Sequence, residues 1–289
     1  MPGVTMHLNR RWSRFISRQL RCIGRMVPVW LPHGTAIGNR ILKPMYRALI
    51  GCQQEHSEIW PDVVMRVSPC DGVGGNLFFS PQLYDRDERS WIDEALHGSQ
   101  VFVDVGANVG VYSLWAARML SPDGTILAIE ADPLTFRVLR QNLAENATVR
   151  CKVLLENTGV SDKKEALSFY RNTKGNSGGN TFFEGAGGDP NLILPVEPLD
   201  DVVRRNGLQR IDFMKIDIEG LELKVLTRFF GECRPHLLPS YVLIEMDQGP
   251  RSEDLLFRKG LLSLFARHSY QQLHGGDNAL FHRLSPARG

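Results

Sequence analysis

The ten residues Val101–Gly110, VFVDVGANVG, decide the fold of this 289-residue chain. An apolar run of strand length enters a tight turn, and a helix-like segment follows it. Gly106 lets the backbone turn sharply, Asn108 tolerates a left-handed conformation, and Gly110 allows a helix to pack closely on the strand. Asp104 is an acid within an apolar run, where a buried carboxylate needs a compensating charge. The cationic amine of a bound ligand would supply that charge.

The pattern around this stretch alternates between strands and helices. Strands are predicted at 101–105, 125–129, 211–216 and 241–246, and helices at 111–120, 134–143, 221–230 and 255–265. Residues 63–79 predict a small hairpin region, 85–96 a helix, and 172–191 a long loop. The alternation is typical of an α/β domain with a mostly parallel sheet and helices on both faces.

Glu130 closes the next predicted strand, at the edge where open α/β sheets bind their ligands. A carboxylate there can accept both hydroxyls of a ribose, although a solvated acid before the Asp132-Pro133 turn is the simpler alternative. The glycine spacing between Gly106 and Gly110 differs from the G-x-G-x-x-G series of dinucleotide-binding proteins. An adenosyl ligand with an amino-acid tail therefore fits better, and a dinucleotide-dependent oxidoreductase remains the alternative.

A second cluster of charges ends the strand at 211–216. Lys215, Asp217 and Glu219 alternate, and a continuing strand would place all three side chains on one face. Three neighbouring charges at the carboxyl end of a strand favour a functional site over packing, with a structural ion pair as the alternative. Asp217 or Glu219 is the candidate base, and Lys215 would orient it or lower its pKa.

These motifs resemble those of the FkbM-type family of S-adenosylmethionine-dependent methyltransferases. The matching segments are VDVGANVG at 103–110, IEADP at 129–133 with Asn142, VSD at 160–162, and KIDIEG at 215–220. The resemblance runs from about residue 101 to residue 246. It implies a Rossmann-like class I methyltransferase fold with a seven-stranded sheet, and O-methylation of a sugar or polyketide-like acceptor.

The resemblance also implies roles for individual residues. The methionyl part of S-adenosylmethionine would lie against the first motif, at Asp104, Gly106, Asn108 and Gly110. Glu130 would hold the ribose, and Ser161 with Asp162 the adenine edge. Asp217 and Glu219 would face the transferred methyl group. A small hydroxylated acceptor, rather than nucleic acid, is the expected partner.

The first fifty residues form a distinct unit, because they hold nine Lys and Arg and no acid, whereas the remainder has 25 bases against 32 acids. A basic amphipathic helix is predicted before Pro28, with the apolar residues Trp12, Phe15, Ile16, Leu20, Ile23 and Met26. It either packs on the main domain or contacts a membrane surface or nucleic acid. We expect residues 1–60 to be a basic, mainly helical extension, 61–98 a hairpin and helix, and 99–285 the methyltransferase domain.

The cysteines indicate the compartment. Five cysteines lie far apart without a C-x-x-C pair, so the sequence predicts neither a disulfide framework nor a zinc site. No run of about 18 apolar residues exists. We therefore expect a metal-free, cytoplasmic protein that associates at most peripherally with a membrane. The loop that contains Asn176, Ser177, Asn180, Thr181, Phe182 and Phe183 is a candidate cover for the substrate.

Overall fold

The computed structural model describes residues 10–29, 37–172, 179–182, 192–246 and 252–284. The first part comprises α1 (Arg10–Arg25), a π-helical turn (Gly38–Leu42), α2 (Lys43–Leu49), β1 (Glu55–Trp60), β2 (Val63–Val67), α3 (Gly72–Phe79) and α4 (Arg86–Ala95). The second part begins with β3 (Val101–Val105), α5 (Val111–Ala117), β4 (Thr125–Ile129), α6 (Pro133–Glu145), β5 (Lys152–Glu156), β6 (Gly159–Ser161) and β7 (Glu165–Phe169). It continues with β8 (Leu192–Pro198), α7 (Leu199–Arg205), β9 (Phe213–Ile216), α8 (Glu222–Glu232), β10 (Tyr241–Glu245), α9 (Ser252–Arg267), β11 (Tyr270–His274) and β12 (Asn278–Arg283).

The central sheet has seven strands in the order β11-β12-β10-β9-β3-β4-β5. Only β12 runs against its neighbours, β10 and β11, while β10, β9, β3, β4 and β5 pair in parallel. The predicted Rossmann-like class I methyltransferase fold is thus confirmed. The chain reverses direction across the sheet at β3, which makes its carboxyl end the switch point where such sheets bind ligands.

Alternation along β3 explains why helices cover both faces of the sheet. Phe102 belongs to an apolar cluster with α5, α6 and the N-terminal elements, whereas Val103 belongs to a second cluster with α7, α8 and α9. Asp104 shares the face of Phe102, so its side chain points toward α5. A smaller sheet, β6-β8-β7, lies outside the seven strands.

The N-terminal elements are fastened to this domain through the hairpin. Asn142 of α6 and Asn146, directly after this helix, accept hydrogen bonds from the backbone N–H groups of Arg66 and Val64, at 2.7 and 2.8 Å. The β1–β2 hairpin spans the boundary that the sequence placed at residue 60. The apolar cluster that contains Phe102 also includes side chains from α2, α3 and α5, so these helices share one core with the sheet.

Two expectations about this first part are wrong. The glycine-rich residues 72–79 form helix α3 rather than part of a hairpin, because Asp71 caps the helix by accepting from the Gly74 N–H and Phe78 and Phe79 are buried. Cys52 and Cys70 form a disulfide, with Cα atoms 5.5 Å apart. The hairpin brings these two residues together, which their separation in sequence concealed.

Candidate active site

A cavity of about 450 Å³ lies at the carboxyl ends of β3, β4 and β9. Its lining includes six of the ten residues that the sequence predicts for the site, namely Gly106, Asn108, Glu130, Lys215, Asp217 and Glu219. The first three come from the ends of β3 and β4 and the other three from the end of β9. Parallel strands that end at one edge of the sheet bring these distant segments together.

The turn after β3 has the left-handed backbone that its sequence predicts. Gly106, Asn108 and Gly110 have φ angles of 78°, 49° and 93°. A Cβ atom at Gly106 would lie 1.9 Å from the carbonyl oxygen of Asp217, and one at Gly110 would lie 2.8 Å from Leu139. Glycine is therefore needed here by the protein's own packing, because the turns after β3 and β9 touch at Gly106.

Asp104 is fully buried beneath this turn and is not part of the cavity lining. Its Oδ2 accepts a hydrogen bond of 2.6 Å from Ser113, and Oδ1 has no hydrogen-bond partner among the described residues. Burial raises the pKa of Asp104, and the charge of Lys215, its partner in the β3–β9 register, opposes that shift. Lys215 thus offsets part of the cost of burying this acid.

Glu130 faces the cavity with a partly satisfied carboxylate. Its Oε2 accepts from the Asn108 N–H and its Oε1 from the Asp132 N–H, both at 2.9 Å. Each oxygen keeps a lone pair for another donor. Burial raises the pKa of Glu130 to about 7, although the two backbone bonds favour its ionised form. The Oδ1 atom of the neighbouring Asn108 is buried without a partner among the described residues.

The charges after β9 are arranged differently from the predicted alternation. The strand ends at Ile216, so Asp217 and Glu219 lie in the turn beyond it. Lys215 is buried, with its Nζ 3.1 Å from Asp217 Oδ2 and 4.9 Å from the centre of the Tyr112 ring. Burial disfavours the ammonium, but the carboxylates of Asp217, Asp104 and Asp85 outweigh burial and raise the pKa of Lys215.

Glu219 lines the cavity from a strained turn. Its φ is 55°, a value that is uncommon for residues other than glycine. Burial, and then the charges of Asp217 and Glu222, raise the pKa of Glu219 to about 8. The buried Glu222 holds the turn in place, because its carboxylate accepts from the N–H groups of Ile218 and Gly220 at 2.7 and 3.0 Å. Thr181 Oγ1 donates to the Glu219 carbonyl oxygen at 2.7 Å.

The residues predicted to hold the adenine edge lie outside the cavity lining. Ser161 is buried and donates to Asp162, whose carboxylate lies 2.9 Å from Lys224 Nζ on α8. The preceding residues Thr158, Gly159 and Val160 line the cavity instead. The shift is small along the chain, but Ser161 and Asp162 do not contribute to the cavity lining.

Several lining residues were missed by the sequence reasoning. Tyr84 and Tyr112 line the cavity, and the Tyr112 hydroxyl donates to Asp85 Oδ2 at 2.8 Å. Asn39 and Asn76 also line it, although the sequence assigned both to the part of the chain before the main domain. The chain bends at Tyr84 and Asp85, directly before α4, and Asp85 has a left-handed φ of 41° there. Such an angle has no dependable sequence signal.

The loop predicted to cover the substrate is only partly described. Asn180 and Phe182 line the cavity, and the Phe182 ring meets Phe169 edge to face at 4.9 Å. Asn176, Ser177 and Phe183 lie outside the described residues.

Glu245, at the end of β10, belongs to an adjoining cavity of about 170 Å³ with Asp85 and Asn278. Burial and the neighbouring acids, first Asp217, raise the pKa of Glu245. Its carboxylate lies within 4.8 Å of those of Asp217 and Glu222, a spacing that a metal ion could bridge. Protein groups already occupy much of this cluster, since Glu222 accepts two backbone N–H groups and Asp217 is paired with Lys215.

Comparisons with known proteins agree with this geometry. Residues 104–271 match the methyltransferase FkbM domain family. The methyltransferase sdnD of Sordaria araneosa is 34% identical over 158 residues, which cover 45% of this chain and 61% of that protein. The 31-O-demethyl-FK506 methyltransferase FkbM of Streptomyces tacrolimicus is 27% identical over 165 residues, which cover 46% of this chain and 60% of that protein. The match thus spans about 60% of the length of each of these relatives.

Solved structures are similar at a greater distance. The O-methyltransferase from Bacillus cereus in complex with SAH has a TM-score of 0.42 and 12% identity, covering 68% of this chain and 78% of that one. The family match starts at Asp104 of β3 and extends into β11, so it includes the cavity-lining residues at the ends of β3, β4 and β9. The chain belongs to the FkbM family of methyltransferases.

Proposed function

We propose that this protein transfers a methyl group from S-adenosylmethionine to a hydroxyl oxygen of a small acceptor. The observation that carries the proposal is the charge of the cavity. Glu130, Asp217 and Glu219 face it with one lysine, Lys215, whose ammonium is already paired with Asp217. A pocket with surplus carboxylates stabilises a ligand that carries a sulfonium and an ammonium cation.

The residues present fit the cofactor. Each Glu130 oxygen retains a lone pair for a ribose hydroxyl, and the buried Asn108 Oδ1 needs a donor, such as a ligand amine. We assign the adenine environment to Thr158, Gly159 and Val160, with the Phe182 ring against the same wall. Gly106 and Gly110 shape the turn, and Asp104 positions Lys215 from beneath.

The bound cofactor supplies the activated methyl group, so the protein's own work is positioning, exclusion of water and removal of a proton. Glu219 is the stronger candidate for the base, because its pKa is raised to about 8 and its ionised form is therefore more basic than an ordinary carboxylate. Asp217 is committed to Lys215 and is better placed to fix the turn and add negative charge.

The acceptor we propose is a hydroxylated sugar or natural-product-like molecule. Asn39, Asn76 and Tyr84 line the part of the cavity wall that precedes the main domain. Amide groups and an aromatic ring suit an acceptor with hydroxyls and an apolar face. The name of the Streptomyces tacrolimicus relative points to methylation of an oxygen in such a product.

Calorimetry with S-adenosylhomocysteine tests the cofactor assignment. We expect a dissociation constant in the micromolar range, and Glu130→Gln should weaken binding at least about tenfold, because the loss of a charged acceptor costs about 1.5–3 kcal/mol. Glu94→Gln, an exposed glutamate on α4, should bind as the wild type does. Equal affinities of the two variants, or tight binding of NADH instead, would refute the assignment. Screening hydroxylated acceptors for the mass gain of one methyl group then tests the reaction.

A further inference from the structure

Helix α1 exposes an apolar side as well as a basic one. Successive members of the set Trp12, Phe15, Ile23 and Met26 are three or eight residues apart, which places them on one side of a helix with 3.6 residues per turn. Met26 directly follows α1, and its N–H still bonds to the Cys22 carbonyl oxygen. Trp12 is 61% exposed and Met26 is 79% exposed. The Trp12 and Phe15 rings meet edge to face at 6.0 Å.

The side of α1 that packs on the protein is a different one. Ser17, Leu20 and Gly24 are buried, and a Cβ atom at Gly24 would lie 2.3 Å from the carbonyl oxygen of Phe79 on α3. This close contact fixes the orientation of the helix on the domain. The exposed apolar residues therefore lie on a different side of α1 from the residues that pack against the domain.

A row of arginines lies between these two sides. Arg21 donates to Ser57 and Arg25 to the Glu58 carbonyl oxygen, so both are bound to the hairpin. Arg14 and Arg18 are exposed, and within the described part of the chain no carboxylate pairs with either of them.

Arg14, Arg18 and Arg21 line a cavity of about 490 Å³ together with Phe15 and His56. Glu55 in the same cavity already accepts from Ser17 and Tyr46. Three guanidinium groups thus face a single carboxylate in this lining, and the surplus positive charge favours an anion from outside the chain.

The neighbouring segments extend the same surface character. Val29, Ile41 and Met45 are also exposed, so seven of the fifteen large apolar side chains exposed among the described residues lie between residues 12 and 45. The first fifty residues contain no Asp or Glu. An apolar surface bordered by arginines that outnumber the one neighbouring carboxylate, Glu55, complements an apolar phase with an anionic boundary.

We propose that α1 docks this protein on the surface of an anionic lipid bilayer. Trp12, Phe15, Ile23 and Met26 enter the boundary between headgroups and acyl chains, and Arg14 and Arg18 contact lipid phosphates. The helix lies on the membrane, since no helix among the described residues is long and apolar enough to cross one. This docking is independent of the reaction at the cavity.

Flotation of the full-length protein with vesicles tests the docking. Wild type should float with vesicles that contain phosphatidylglycerol and should bind vesicles of phosphatidylcholine alone at least about tenfold more weakly. The double variants Trp12→Ser/Ile23→Ser and Arg14→Gln/Arg18→Gln should each lose about tenfold or more of the binding to anionic vesicles. The matched control is Ile193→Ser/Leu256→Ser, two side chains exposed to 73% and 70% outside α1, which should float like wild type.

Circular dichroism and S-adenosylhomocysteine binding should be unchanged in all these variants, which separates this proposal from that of the catalytic site. The proposal is overturned if wild type does not float, or if the α1 variants float as well as the control. It is also overturned if the Trp12→Ser/Ile23→Ser variant sediments with a lower mass than the wild type, because α1 would then join two copies of the chain. If the Arg14→Gln/Arg18→Gln variant loses binding to a DNA duplex but keeps its binding to vesicles, the arginines bind nucleic acid and the proposal is overturned.

Discussion

At the scale of single residues, Lys215 organises the candidate site. Its ammonium lies among the carboxylates of Asp104, Asp217 and Asp85, which raise the pKa of Lys215 despite its burial. The lysine therefore remains charged beside the cavity, with its ammonium paired to Asp217. At Glu219 burial and the charges of Asp217 and Glu222 outweigh the charge of Lys215, and the pKa of Glu219 rises to about 8. Glu219 thus differs from an ordinary exposed glutamate in its readiness to take up a proton.

This difference predicts how cofactor binding depends on pH. A sulfonium near Glu219 favours the ionised carboxylate, so the affinity for S-adenosylmethionine, relative to S-adenosylhomocysteine, should rise as the pH increases from about 6 to about 8.5. Titration calorimetry at several pH values measures this ratio for wild type. In Glu219→Gln the side chain stays neutral, and most of the increase should disappear. A variant that keeps the wild-type increase would place Glu219 away from the sulfonium.

At the scale of secondary-structure elements, short segments before the main sheet complete the cavity. Helix α3 contributes Asn76, and the bend at Tyr84 and Asp85 precedes α4. The Cys52–Cys70 disulfide closes the chain around the β1–β2 hairpin, directly before the N-cap Asp71 of α3. A change in this covalent link therefore acts on an element that forms part of the cavity wall.

The disulfide predicts the number of free thiols and a stability difference. Denatured, unreduced protein should expose three thiols, those of Cys22, Cys151 and Cys233, and five after reduction. Cys70→Ser should lower the free energy of unfolding by about 3 kcal/mol, the typical effect of losing a link that closes a loop of this size. Thiol titration and urea denaturation measure the two effects, with exposed Cys22→Ser as the neutral control. Five thiols without reduction would show that the link does not form.

At the scale of the whole molecule, the fold concentrates buried acids at one edge of the sheet. The pKa values of Glu130, Glu219 and Glu222 are raised to about 7, 8 and 6, in each case mainly by burial. In the unfolded chain these groups titrate near pH 4.5. The folded state therefore binds more protons than the unfolded state at pH values between 4.5 and the raised pKa of each group. Surface acids such as Glu145, whose pKa is lowered by Arg66, act in the opposite sense and at lower pH.

Stability of the cofactor-free protein should therefore fall as the pH rises. The contribution of the three buried acids is complete below about pH 4.5 and is lost as the pH increases through about 6 to 8. The partly exposed His268, with its lowered pKa, opposes this trend, but it is a single group. Urea denaturation at pH 5, 7 and 9 measures the slope, which Glu219→Gln should reduce and Glu94→Gln should leave unchanged. A stability that increases over this range would contradict the burial of these acids.

The local pattern of the sequence was sufficient to predict the main sheet and the turn after β3. The spacing of apolar residues along strands and helices is a property of residues that are close in sequence. The same is true of glycine or asparagine at positions with positive φ, here Gly106, Asn108 and Gly110. The acids at the ends of β3, β4 and β9 follow from the same reasoning, since parallel strands end at one edge.

Only the tertiary structure decided which groups meet across long separations. It placed Lys215 opposite Asp104 in the register of β3 and β9, and it bonded Cys52 to Cys70. It left Ser161 and Asp162 outside the cavity lining and brought Asn39, Asn76 and Tyr84 into the cavity wall. Burial, and hence the raised pKa of Glu219, also depends on these contacts. The physical reason is that periodicity records which face of an element is apolar, whereas the partner of each charged or polar group is set by packing between elements.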